Sequence, residues 1–150
     1  MQKSKSSLFL ERLRQLPRFD FLNEAAVLAE RHGGGVLLVQ AVIDEKYLTK
    51  DDACRYWADT MNAAYVDPFA SVITDEAIEK IPMEVARKIK SIGLYVLNGV
   101  ITVAMSTPDD PELVRRIGQI AQMPVSPVFA LPLEIEDAIA IQYCTEQGLE

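Results

Sequence analysis

The stretch "IGLYVLNGVITVAM", residues 92–105, decides the fold. Two apolar runs of strand character flank Asn98-Gly99. A two-residue hairpin turn of the favoured twist needs positive φ at both central residues, and Asn followed by Gly supplies it. Pairing Leu97 with Val100 sets a register that aligns Ile92, Leu94 and Val96 with Ile101, Val103 and Met105. That common face is wholly apolar, so it needs a cover.

The next segment, "TPDDPELVRRIGQIAQM", is the expected cover. Asp110 is placed to cap a helix, and Pro111 suits its first position. Leu113, Ile117, Ile120 and Ala121 form its apolar stripe. "VSPVFAL" then returns as a strand, which Pro127 confines to an edge or to the strand's first residues. Strand, helix, strand implies parallel pairing. Pro132 opens a last helix with Ile135, Ala138 and Ile139 inward.

Upstream, "NAAYVDPFASVITDEAIEKIPMEVARK" reads as a connector. It holds a short extended piece around Tyr65, a helix capped by Thr74 and another opened by Pro82. The first 60 residues carry helical spacing instead. Ser7 is placed to cap a helix bearing Leu8, Leu10, Leu13 and Leu16, which Pro17 ends. Asp20 opens a second helix, and the glycines 33–35 stop it. "VLLVQAVIDEKYL" fits a strand or a helix, and its trailing charges favour the helix. Thr49 caps the next helix, with Asp52 in a capping-box position; Ala53, Tyr56, Trp57, Thr60 and Met61 share one stripe.

The expected fold is therefore α+β. A small helical subdomain, 1–62, is followed by a connector with short helices, 63–90, and a small α/β subdomain, 91–146. The last has a three-stranded sheet, made of the Asn98-Gly99 hairpin plus a parallel crossover strand.

Composition bounds the function. The 150 residues are 49% hydrophobic and 25% charged, an ordinary globular profile. A net charge of −7 argues against nucleic acid as a partner, because phosphate contacts need clustered Lys and Arg. No apolar run reaches the ~20 residues of a membrane span. The expected location is the cytoplasm, with any membrane attachment made through a partner. Cys54 and Cys144 fit no metal-ligand spacing and read as reduced thiols.

Chemistry-bearing patterns are sparse. The glycines 33–35 lack the Lys-Ser/Thr of a phosphate-binding loop. His32, the single histidine, has no catalytic partner set and sits at a helix end. Asp109 and Asp110 could hold Mg²⁺ or act as an acid–base pair, yet capping and first-turn positions explain them. No catalytic, cofactor-binding or metal-binding residue is expected. The basic N-terminus is different: Leu8, Phe9, Arg12 and Arg14 make an apolar and cationic edge suited to a partner. Leu8 and Phe9 equally suit packing on the domain's own helices.

The order "LTKDDACRYWADTMNAAYVDP", "EKIPMEVARK", "GVITVAMSTPDDPELV", "MPVSPVFALPLEIEDAIAIQY" resembles the N-terminal domain of type II secretion and type IV pilus assembly ATPases. The resemblance covers residues 36–146. Its most specific elements are Tyr65-Val66-Asp67, Ile81-Pro82, and "VAM" with Pro108 and Asp109. It implies a docking or regulatory domain, with any ATPase chemistry in a domain not present here. It further implies as partner the cytoplasmic part of an inner-membrane secretion or pilus protein. Related domains also occur fused to other modules such as glycosyltransferases. In a pilus-like branch a similar domain binds cyclic di-GMP through repeats with recurring Gly and Leu and a leading Arg. Here Val39 and Lys46 stand where the glycines belong, and Leu37 where the Arg would be, so this ligand is not expected.

Overall fold

The computed structural model describes residues 5–14, 36–46 and 48–147. The helix expected from Asp20, the glycine stop at 33–35, His32, and the side chains of Leu13, Arg14 and Cys144 lie outside the described residues. The chain divides into two compact units, Met1–Asn62 and Ala63–Glu150.

The first unit is helical among its described residues. It contains α1 (Lys5–Arg14), α2 (Val36–Asp44) and α3 (Lys50–Asp59). The helix α1 begins at Lys5, ahead of the Ser7 cap expected from sequence. At α3 the local signal holds: the Thr49 hydroxyl accepts from the Asp52 N–H at 3.2 Å. α2 is helical, and its spacing carries Leu38, Val39, Ala41 and Val42 into the core while Ile43 stays half-buried. On α3 the buried set is Ala53, Cys54, Trp57 and Ala58.

The second unit starts inside the segment read as a connector. Its helices α4 (Asp75–Lys80) and α5 (Met83–Ile89), with Ile81 between them, put Ala77, Ile78, Ile81 and Ala86 into the core of this unit. Residues 63–90 thus belong to the body of the second unit. Next come β1 (Ser91–Leu97), β2 (Val100–Met105), α6 (Pro111–Ala121), β3 (Val125–Phe129) and α7 (Pro132–Gln147). The sheet order is β1-β2-β3, with β1 and β2 antiparallel and β2 and β3 parallel. Asn98 and Gly99 take φ 53° and 76°, so the turn is of the expected kind.

The hairpin register is as expected at the turn, with Leu97 opposite Val100 and Val96 opposite Ile101. Beyond Tyr95 it departs. A β-bulge lies between Gly93 and Tyr95, so Gly93 faces Val103 and Ile92 faces Ala104. The extra residue, Leu94, shifts the alternation. Ile92, Leu94 and Val96 therefore do not form one continuous face.

The physical reason is the packing of α4. The Thr74 N–H donates to the Leu94 carbonyl at 2.8 Å. A Cβ on Gly93 would lie 3.0 Å from the Ala77 carbonyl oxygen, so only glycine lets α4 sit this close.

The sheet has more cover than the one helix expected. All five residues Ile101–Met105 of β2 are buried, which requires packing on both faces of the strand. Helices α4, α5 and α7 pack on β1, and α7 also on β2. The expected cover, α6, packs along β3 and adds Ile117 and Ala121 to the core. Pro127 occupies the edge strand, where its missing N–H costs no ladder bond.

Candidate functional site

The four N-terminal candidates do not share one fate. Phe9 is 0% exposed and meets Trp57 edge to face, with ring centroids 5.6 Å apart and planes at 85°. That geometry suits the aromatic quadrupoles. Phe9 is thus a core residue of the first unit, the alternative left open by the sequence. Helical periodicity leaves the neighbouring Leu8 38% exposed.

Arg12 is exposed, and its guanidinium carbon stands 5.1 Å from the centre of the Tyr56 ring. Lys5 does likewise, its ammonium 5.8 Å from the centre of the Trp57 ring and 3.9 Å from the Met61 sulfur. Two cations of α1 therefore rest on two aromatic rings of α3, an arrangement worth roughly 0.5–1 kcal/mol each at exposed sites. The Trp57 indole N–H is buried and meets no acceptor among the described residues, where this ring serves as apolar volume and as a cation platform. Leu8 and Arg12 are the members of the set that the structure leaves at the surface; the Arg14 side chain is outside the described residues.

The positions compared with the cyclic di-GMP repeat divide too. Val39 is fully buried. Lys46 is exposed and takes φ 64°, the left-handed region that favours glycine. The backbone here has the shape a glycine would have, although the side chain is lysine.

Of the carboxylates after β2, Asp110 has a structural use. Asp110 accepts from the Leu113 N–H at 3.2 Å and caps α6. Among the described residues, no group of three or more His, Cys, Asp or Glu side chains is placed to hold a metal ion.

The residues that carry the resemblance form the frame of the second unit. Ala64 and Val66 hydrogen-bond across Phe129, at 2.7 and 2.9 Å. The Tyr65 hydroxyl donates to Glu134 at 3.2 Å, and its ring tilts against Phe129. Asp67 accepts from the Phe69 N–H at 2.9 Å and shapes the following turn. The carbonyl oxygen of buried Ile81 accepts from the Tyr143 hydroxyl at 2.5 Å, and Pro82 starts α5.

A helical unit followed by helices around a three-stranded mixed sheet is the fold of the N-terminal domain of type II secretion and type IV pilus ATPases. A structure of MshE with cdg (cyclic di-GMP) resembles the chain with a TM-score of 0.67 and 17% identity, covering 95% of this chain and 100% of that one. The N-terminal domain of XpsE resembles it with a TM-score of 0.57 and 17% identity, covering 93% and 96%. The MshEN domain family matches residues 61–146, and the chain belongs to that family. No curated protein matches it.

Proposed function

We propose that this chain is a docking and regulatory domain of a type II secretion or type IV pilus-like assembly ATPase. In this reading it binds the cytoplasmic part of an inner-membrane platform protein and leaves nucleotide hydrolysis to a separate motor domain. The observation that carries it is membership of the MshEN family, with the likeness to the N-terminal domain of XpsE running over 93% of the chain. Among the described residues no helix is long and apolar enough to cross a membrane, so attachment through a partner suits the described part.

The test is a binding assay of the chain against the cytoplasmic domain of the platform protein encoded beside its ATPase. Leu8→Asp and Arg12→Glu are the informative variants, because truncating buried Phe9 would damage the unit itself. Retained binding by both variants removes the α1 surface from the reading. Absence of binding by the unaltered chain removes the docking role.

Cyclic di-GMP sensing is the second reading. The glycine-like φ of Lys46 and the similarity to MshE, solved with cdg, favour it. Buried Val39 and the absence of the leading Arg weigh against it. Isothermal titration decides: a Kd weaker than about 1 mM, near −4.1 kcal/mol, sets it aside as a physiological role.

A further inference from the structure

The second unit has a cleft of about 440 Å³ whose composition departs from the rest of the unit. Arg87 and Lys90 come from the end of α5, and Pro132, Ile135, Glu136, Ile139 and Ala140 from α7. The unit as a whole is acidic, with six Lys and Arg residues between 63 and 150. Three of those six, Arg87, Lys88 and Lys90, fall within four residues. The helix dipole accounts for cations at the end of α5. It does not account for the apolar surface beside them.

That surface is real. Ile135 and Ile139 are buried at the base, while Pro132 and Ala140 are exposed. Leu133, one helical turn before Glu136 and two before Ala140, continues the apolar surface at 65% exposure. The side chains of Arg87, Lys90 and Glu136 make no hydrogen bond or ion pair among the described residues. The cleft thus offers an apolar strip beside two unpaired cations and one carboxylate, Glu136, a lining of net charge +1 in an acidic unit.

We propose that this cleft receives a segment of a partner protein that carries an apolar anchor side chain with an Asp or Glu within one helical turn of it. The proposal rests on the docking reading above and deepens it by naming the surface and the partner's chemistry. Charge complementarity selects the occupant. An acidic group gains from Arg87 and Lys90, while the net charge of −7 sets the remainder of the chain against it. The strip from Leu133 to Ala140 runs roughly 10 Å along α7, at 1.5 Å per residue. That length suits two turns of a bound helix better than a small anion.

The test uses the full chain, immobilised and panned against a display library of 14-residue peptides. Enriched peptides are expected to pair a large apolar residue with a carboxylate three or four positions away. Their affinity should fall at least tenfold for Arg87→Glu/Lys90→Glu, and equally for Ala140→Glu, an exposed helix position that tolerates glutamate. Circular dichroism and a thermal melt of each variant separate lost binding from lost fold.

No enrichment, or enrichment that ignores both variants, overturns the proposal. Displacement of the peptides by millimolar inorganic phosphate assigns the cations to a small anion and overturns it too. The same variants separate this proposal from the docking reading. If the platform protein binds the unaltered chain and both variants alike, the cleft fails and the docking role stands. If the peptides bind as expected and the platform protein does not bind at all, the docking role fails and the cleft stands.

Discussion

The Leu94 carbonyl oxygen, freed from the β1–β2 ladder by the bulge, accepts the Thr74 N–H at 2.8 Å. Thr74 is also the cap of α4, its hydroxyl accepting from the Ala77 N–H at 3.3 Å. One residue therefore ends a loop, starts a helix and fastens that helix to the sheet. Gly93 lies beneath the same helix.

Gly93→Ala should be destabilising for that reason. The new Cβ would meet the Ala77 oxygen at 3.0 Å and Ile101 Cδ1 at 3.1 Å. The isoleucine tip can turn aside, but the carbonyl is backbone and cannot. Overpacking of this kind costs about 1–3 kcal/mol. Urea denaturation followed by circular dichroism should show a lower midpoint. A midpoint equal to that of the unaltered chain would mean that α4 is not held as described.

Tyr143→Phe tests the tie between α7 and the segment before α5. It removes a hydroxyl that donates to the buried Ile81 carbonyl and leaves that acceptor without its partner. The expected loss is about 1–3 kcal/mol. Tyr95→Phe is a suitable control, since Tyr95 is only partly buried and its hydroxyl makes no hydrogen bond among the described residues.

Asp110→Ala should cost about 1 kcal/mol through the lost cap of α6, and Asp110→Asn much less, because asparagine caps nearly as well. A carboxylate kept only for chemistry would behave differently, with neither Ala nor Asn lowering the unfolding midpoint. Unfolding midpoints for the pair separate the two accounts.

Phe9→Ala should destabilise by about 3–5 kcal/mol, the usual cost of emptying a buried aromatic site. Arg12→Ala should cost less than about 1 kcal/mol, since it removes only an exposed cation–π contact with Tyr56. Equal thermal shifts in the two variants would contradict the division of α1 into a buried and an exposed side.

Much of this fold is legible because its signals are local. Thr49, Thr74 and Asp110 cap helices with their own side chains, each three residues from the N–H group it accepts from. The helix ends are harder to read. Lys90 and Gln122 take the left-handed conformation usually marked by glycine, and neither residue type announces a stop. The bulge had one signal, a glycine inside a strand pattern at Gly93. The division within the N-terminal candidates was open in the sequence, since Leu8 and Phe9 are both apolar neighbours and only packing orients the helix.

What the sequence determined by itself is the type and order of the elements from residue 49 on, the hairpin turn, and the restriction of Pro127 to an edge or a strand's first residues. These depend on φ preferences and hydrogen bonds that act within a few residues. The tertiary structure decided which helices cover the sheet, where the register shifts, that Phe9 is buried, and that Arg87 and Ala140 line one cleft. Those outcomes depend on contacts between residues tens of positions apart, where apolar surfaces compete for the same cover and no local pattern names the winner.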